Sequence, residues 1–420
     1  MLAVMVFTGI MIAAMLGTPL FIVMSLAALS LFTMAGVEVS AVAIEVYKIS
    51  SAPTLITIPL FTFAGYMMAE SGAPKRLLKV AEAAFGWLPG GVAIVSLVVC
   101  AFFTAFTGAS GVTIIALGGL LYPILKKEGY TEKFSLGLIT SSGSLGLLFA
   151  PSLPIILYGL VAKVDIDKIF RAGILPGIIL ILVLSLWSVI NGPKVRNKRH
   201  FSFRELMSAL KAGFYEVLLP FGVLFSIYGG FVTVSEAAAF TCFYVLIVEC
   251  FVYKDLNFFK DIPKVVLDSM SLVGGILLIL CCALGLTNYL VDEEVPMKIL
   301  DLMRQFLTNK YQFLFFLNIF LLVVGCLMDI FSAIVVVVPL IIPIALEFDV
   351  HPIHLAIIFL LNLEIGYITP PVGINLFISS FRFKKPVTEL YKASVPFLIL
   401  SLLVLMVITY IPELSLFLVK

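Results

Sequence analysis

The chain has 420 residues, of which 62% are hydrophobic and 12% charged, and its mean hydropathy is +1.17, which excludes an ordinary water-soluble enzyme. Lys and Arg number 27 against 25 Asp and Glu, a net charge of +2, so neither nucleic acid nor a general anionic partner is indicated. Stretches without one charged side chain run over 1–37, 83–125, 134–162, 172–193, 269–291 and 393–412, each enough for a crossing of about 20 apolar residues. They carry Leu, Ile and Val on every face rather than in the alternation of a β-barrel strand. The expected fold class is an all-α polytopic membrane protein.

In chain order, Met1 to Val37 has no basic leader and runs too long for a secretory core, so it reads as a retained pair of spans. The 83–125 run, long enough for two crossings, is interrupted after Phe106 by Thr107-Gly108-Ala109-Ser110-Gly111. The next span is broken by Ser141-Ser142-Gly143-Ser144 and by Phe149-Ala150-Pro151-Ser152-Leu153-Pro154. Pro193 to Lys211 is the one long polar segment and holds Lys194, Arg196, Lys198, Arg199, Arg204 and Lys211, which places it in the cytoplasm. Thr233-Val234-Ser235-Glu236 reads as a capping box opening a helix to about Val248. Asp329 stands in the otherwise uncharged stretch 311–346, and Glu364 precedes the break Gly366-Tyr367-Ile368-Thr369-Pro370-Pro371-Val372-Gly373; ionisable groups at such depth are usually functional. His351 and His354, beside Asp349 and Pro352, read as a solvated helix start rather than a metal site. The six cysteines have no metal-ligand spacing and read as small core residues.

A shift of 220 residues aligns Gly65 with Gly285, Pro123-Ile124 with Pro343-Ile344, Gly146 with Gly366, Pro151 with Pro371, and Pro176 with Pro396. Matching aliphatics carry no weight in so apolar a chain, but coincident Gly and Pro punctuate backbone geometry. The division expected is a first inverted repeat at 1–192, a cytoplasmic basic connector at 193–212 and a second inverted repeat at 213–420, with both chain ends outward. Inverted repeats with broken helices and re-entrant hairpins are a plan of secondary transporters.

Unwound backbone cannot face lipid, because each unpaired N–H or C=O costs several kcal/mol, so the breaks must line a buried or watered site. Freed carbonyls suit Na⁺, and helix amino ends suit an anionic group. On that logic Gly108, Ser110, Gly366 and Thr369 supply ion ligands, Asp329 joins them, and the duplication adds Gly146 and Phe149 as a second ion site. Ser142 and Asn362 offer further side-chain oxygens.

Gly143-Ser144-Leu145-Gly146-Leu147-Leu148-Phe149-Ala150-Pro151-Ser152-Leu153-Pro154 and Leu361-Asn362-Leu363-Glu364-Ile365-Gly366-Tyr367-Ile368-Thr369-Pro370-Pro371-Val372-Gly373-Ile374-Asn375-Leu376-Phe377 resemble motifs of the large membrane (M, DctM-like) subunit of tripartite ATP-independent periplasmic (TRAP) transporters. Ile58-Pro59-Leu60-Phe61 with Gly65 is similar to that family's first hairpin. The sequence departs from the pattern at Ala109, at Ala150, which replaces the first proline of a Pro-Pro pair, and at Val234, where a proline is usual. The resemblance implies an elevator-type, Na⁺-coupled importer of organic acids in a bacterial or archaeal cytoplasmic (inner) membrane. It also implies a separate small membrane (Q) subunit and an extracytoplasmic solute-binding (P) protein. Ser142, Gly143, Asn362, Pro371, Gly373 and Asn375 are then the substrate-binding candidates.

No cofactor beyond Na⁺ as coupling ion is expected. The sequence holds no P-loop, GxSxG, HExxH or dinucleotide fingerprint, and no nucleophile–base pair, so it reads as neither an ATP-driven pump nor an enzyme. A stand-alone ion-coupled anion or dicarboxylate transporter without a binding protein is the alternative. A channel would need a continuous polar pore.

Overall fold

The computed structural model describes residues 20–34, 53–192, 201–294 and 309–419, with scattered single positions outside those ranges. The basic residues of 193–200 and most of the amino-terminal span pair lie outside them. Among the described residues the regular structure is helical throughout.

Helix α1 is Leu20–Met34. A hairpin of α2 (Thr57–Glu70) and the amphipathic α3 (Ala73–Phe85) follows, then α4 (Gly91–Thr107) and α5 (Ser110–Lys127). Helix α6 (Glu132–Ser142), with a 3-10 turn at Leu145–Leu148, and α7 (Leu153–Ala162) are an apolar pair bent by 44°, followed by α8 (Ile166–Ile190). The surface helix α9 (Phe203–Ala212) buries no residue and turns by 78° into α10 (Phe214–Tyr228). Next come α11 (Val234–Ile247), which ends in a π-helical turn, and α12 (Ile262–Asp292). The chain continues through α13 (Lys310–Leu327), α14 (Ile330–Glu347), α15 (Pro352–Gly366), α16 (Ile374–Phe383), α17 (Val387–Tyr410) and α18 (Glu413–Leu416). Among the described residues six helices are long and apolar enough to cross a membrane, or up to eight if each bent pair is one span, so this is a multi-pass membrane protein.

The 220-residue shift recurs in the elements themselves. Applied to α5 it gives the bounds of α14, and applied to α4, α6, α7 and α8 it falls within one residue of the starts of α13, α15, α16 and α17. The peptide bonds Ala150–Pro151 and Pro370–Pro371, at matched positions, are both cis. The halves interlock: α1 packs on α12 as α11 packs on α2, α5 on α16 as α14 on α7, and α6 on α17 as α15 on α8. These six pairs bury apolar faces of one half against the other and join the halves in a shared core.

The capping box at α11 is present, with Thr233 accepting from the Glu236 N–H and Glu236 accepting from the Thr233 N–H. Arg76 of α3 bonds Glu216 of α10, Glu249 at 2.9 Å and Asp255 at 2.6 Å, and lies 3.7 Å from the centre of the Tyr253 ring. That cluster fastens α3 to α10 and α11.

Candidate functional site

The first polar interruption is a hairpin tip. Gly108 ends α4 at φ +64°, a left-handed conformation that costs glycine little, and Ala109 is extended before α5 begins at Ser110. Thr104 and Thr113, nine residues apart, bring their hydroxyl oxygens to 2.7 Å. Along a continuous helix they would be about 13 Å apart, so α4 and α5 fold back on each other.

This tip meets the first helix break. Thr104 Oγ1 donates to the Gly143 carbonyl at 2.7 Å, and a methyl group on Gly143 would stand 2.5 Å from Ile114 and 3.4 Å from the Ser110 carbonyl. A methyl group on Gly146 would lie 2.2 Å from the Ala101 carbonyl oxygen and 2.4 Å from the Ala105 nitrogen. Glycine is therefore required for the break to reach the α4 backbone. Gly108, Ser110, Gly143 and Gly146 are thus gathered in one place, and Ser142, next to Gly143, is fully buried. Phe149 leads elsewhere: its ring packs at Gly177 of α8 and lines an apolar cavity of about 390 Å³ between α3, α4, α8 and α10. Its carbonyl accepts the Ser152 N–H, and that of Gly146 accepts the Phe149 N–H.

The second half repeats the arrangement with different chemistry. Asp329 occupies the position of Ala109 and caps α14, accepting the Ser332 N–H at 2.9 Å and the Ser332 hydroxyl. A methyl group on Gly366 would fall 2.4 Å from the Gly325 carbonyl carbon, so α15 and α13 touch backbone to backbone. The Gly366 carbonyl accepts the Thr369 N–H, and Thr369 Oγ1 donates to the Ile365 carbonyl at 2.8 Å. The buried Tyr367 hydroxyl accepts the Ile330 N–H at 2.8 Å, which joins this break to the start of α14. Gly373, at φ +56°, donates its N–H to the Cys326 carbonyl, and the Asn375 N–H bonds the Tyr367 carbonyl. Asp329, Gly366, Thr369, Gly373 and Asn375 therefore form the second group. Pro370, Pro371 and Val372 are exposed, whereas their counterparts Ala150, Pro151 and Ser152 are buried. Asn375 bridges the halves: Nδ2 donates to the Thr140 carbonyl of α6 at 3.3 Å.

Asn362 belongs to a third place. It is fully buried and faces Asn318 of α13 rather than the tip of either hairpin. Glu364 is buried as well, and its Oε2 has no hydrogen-bond partner. One sequence expectation is corrected outright. His351 does cap α15, but His354 is not solvated: it is buried, with Nδ1 3.1 Å from Ser415 Oγ and Nε2 3.2 Å from the Thr409 carbonyl. Helical periodicity turns it inward once Pro352 starts the helix. Among the described residues no cluster of His, Cys, Asp and Glu could hold a metal. Sequence reasoning also missed Thr104, Thr113, Asn318 and Thr409, each a polar residue in an apolar run whose partner lies on another helix, and the role of Tyr367 within the second break.

Paired helix breaks, each met by a tip from the same half within one interlocked bundle, define a helical, multi-pass membrane protein. Residues 3–414 match the family described as tripartite ATP-independent periplasmic transporter, DctM component, and the chain belongs to that family. It is 34% identical over 381 residues to the C4-dicarboxylate TRAP transporter large permease protein DctM of Pseudomonas aeruginosa, covering 90% of this chain and 89% of that one. It is 35% identical over 406 residues to the isethionate TRAP transporter permease protein DctMQ of Oleidesulfovibrio alaskensis, covering 96% of this chain but spanning 64% of that longer protein. Among solved structures, the YdaH transporter of Alcanivorax borkumensis, described as having an unusual topology, shares the fold with a TM-score of 0.61 at 12% identity, over 86% of this chain and 85% of the other.

Proposed function

We propose that this chain is the large membrane subunit of a Na⁺-coupled, elevator-type importer of small organic acids in a bacterial or archaeal cytoplasmic membrane. In this reading 1–192 and 213–420 are inverted repeats, the connector 193–212 is cytoplasmic and both chain ends face outward. The carrying observation is that helix elements recur 220 residues apart and that in each half a hairpin is bonded to a helix break, though at non-equivalent positions: Thr104 to Gly143 in one half, Tyr367 to Ile330 in the other.

Na⁺ fits the oxygens gathered there. Gly108, Ser110 and Gly146 supply the first group with Phe149 at its edge, and Asp329, Gly366 and Thr369 supply the second. The two glycines of the breaks also let backbones approach, and each of their carbonyls accepts one N–H and keeps a second lone pair for the ion. An organic acid is held between the groups by Ser142, Gly143, Pro371, Gly373 and Asn375. The relatives' names point to C4-dicarboxylates and isethionate, both small acids. The same names support the partners: an extracytoplasmic binding protein, and a small membrane subunit that a longer relative named DctMQ would carry in the same chain.

The test is reconstitution with both partners in proteoliposomes and uptake of a panel of radiolabelled C4-dicarboxylates and short sulfonates. Uptake is expected only when binding protein and small subunit are both present. Equal uptake by the large chain alone would replace this reading with the stand-alone transporter.

A further inference from the structure

Three helices of the second half meet at a polar contact that the first half lacks. Asn318 on α13, Asn362 on α15 and Thr409 on α17 are all buried, and a shift of 220 places Val98, Ser142 and Val189 at the matching positions. Asn362 Nδ2 donates to the Ile358 carbonyl at 2.8 Å and to Asn318 Oδ1 at 2.7 Å. Asn318 Nδ2 in turn donates to Thr409 Oγ1 at 3.1 Å.

The direction of this chain of bonds follows from one atom. The Ile358 carbonyl can only accept, so the Asn362 atom facing it must be the nitrogen; turning the amide over would set oxygen against oxygen. Both Asn362 N–H groups are then engaged, Asn318 must present its own oxygen to Asn362, and its nitrogen must face Thr409. What is left is Asn362 Oδ1, an acceptor at zero exposure with no donor. At membrane depth an unsatisfied carbonyl oxygen is costly. An anionic group would only add repulsion there, whereas a cation supplies what the oxygen lacks.

We infer that Asn362 Oδ1 is a ligand for a coupling cation at a place of its own, apart from the two hairpin tips, rather than a contact for the substrate carboxylate, and that Asn318 and Thr409 are positioning residues that aim it. This inference rests on the Na⁺-coupled reading above and narrows it to a side-chain ligand and its support. Outer partners that orient a metal ligand typically carry 10- to 100-fold in metal affinity.

The test uses the full chain purified in detergent and follows its thermal unfolding midpoint against NaCl, with choline chloride holding ionic strength constant. A ligand that binds only the folded state raises the midpoint with concentration. Thr409→Val keeps the side-chain shape and removes the acceptor for Asn318; it is expected to raise the half-saturating Na⁺ concentration about tenfold, and Thr409→Ser should restore it. Asn318→Leu should shift it at least as far, and if that variant fails to fold, the two Thr409 variants decide. Should the variants unfold earlier yet keep the wild-type Na⁺ dependence, the three residues only tie helices together and the inference is overturned, with coupling intact. Should the wild type itself gain nothing from Na⁺, the coupling reading falls, and this site with it.

Discussion

The two helix breaks share a backbone and differ in what surrounds it. Around Gly146 to Ser152 the unwound chain is closed in by protein, and a Thr104 hydroxyl ties it to the α4–α5 tip. Around Gly366 to Gly373 the prolines and Val372 lie exposed, and the tie to α14 comes from the break's own Tyr367. The tip in the first half carries Ala109, which caps nothing, whereas the second carries Asp329, which caps α14. The same backbone geometry thus stands in two settings, one enclosed by protein and the other open at Pro370, Pro371 and Val372.

The largest effects should come where the copies are alike. Gly146→Ala and Gly366→Ala each push a methyl group within 2.4 Å of backbone atoms, and overpacking of that kind costs on the order of 3 kcal/mol. Both variants should lose folded, monodisperse protein in size-exclusion chromatography. If only one does, the two breaks are not equivalent in packing.

Tyr367→Phe comes next. It leaves the Ile330 N–H buried without its acceptor, at about 1–3 kcal/mol, and should lower the thermal midpoint. Leu147→Phe at the matched position removes no hydrogen bond, so a loss there reports crowding alone. The smallest effect belongs to the cap. Asp329→Ala should cost about 1 kcal/mol, while Ala109→Asp, which supplies the missing cap to α5, should add stability or leave it unchanged. A loss from Ala109→Asp would show that the first tip cannot take a charge, which sharpens the contrast between the halves.

Much of this was legible in the sequence, for a physical reason. Gly and Pro act on the backbone of their own segment, so the breaks at Gly143 to Pro154 and Gly366 to Gly373, the cap at Thr233 and the 220-residue repeat can be read locally. Tertiary pairing cannot. Nothing in a run of aliphatics says that Thr104 reaches Gly143, that Asn318 meets Asn362 and Thr409, or that His354 turns inward to Ser415. Gly366 shows the boundary well: its position marks a break, but only the contact with Gly325 reveals that it is also a seam between helices. Phe149 marks the same boundary, because backbone equivalence with Thr369 says nothing about a ring that packs at Gly177 of α8 and lines an apolar cavity.

The central claim is that both oxygen-lined groups serve a Na⁺-driven uptake cycle. Initial uptake of the preferred acid should be measured in proteoliposomes holding the complete complex, with an inward gradient of Na⁺, of K⁺, or of protons alone. The account predicts uptake with Na⁺ only, and a higher Na⁺ concentration for half-maximal rate in Asp329→Ala and Ser110→Ala. Equal uptake on K⁺, or on protons without Na⁺, would contradict it.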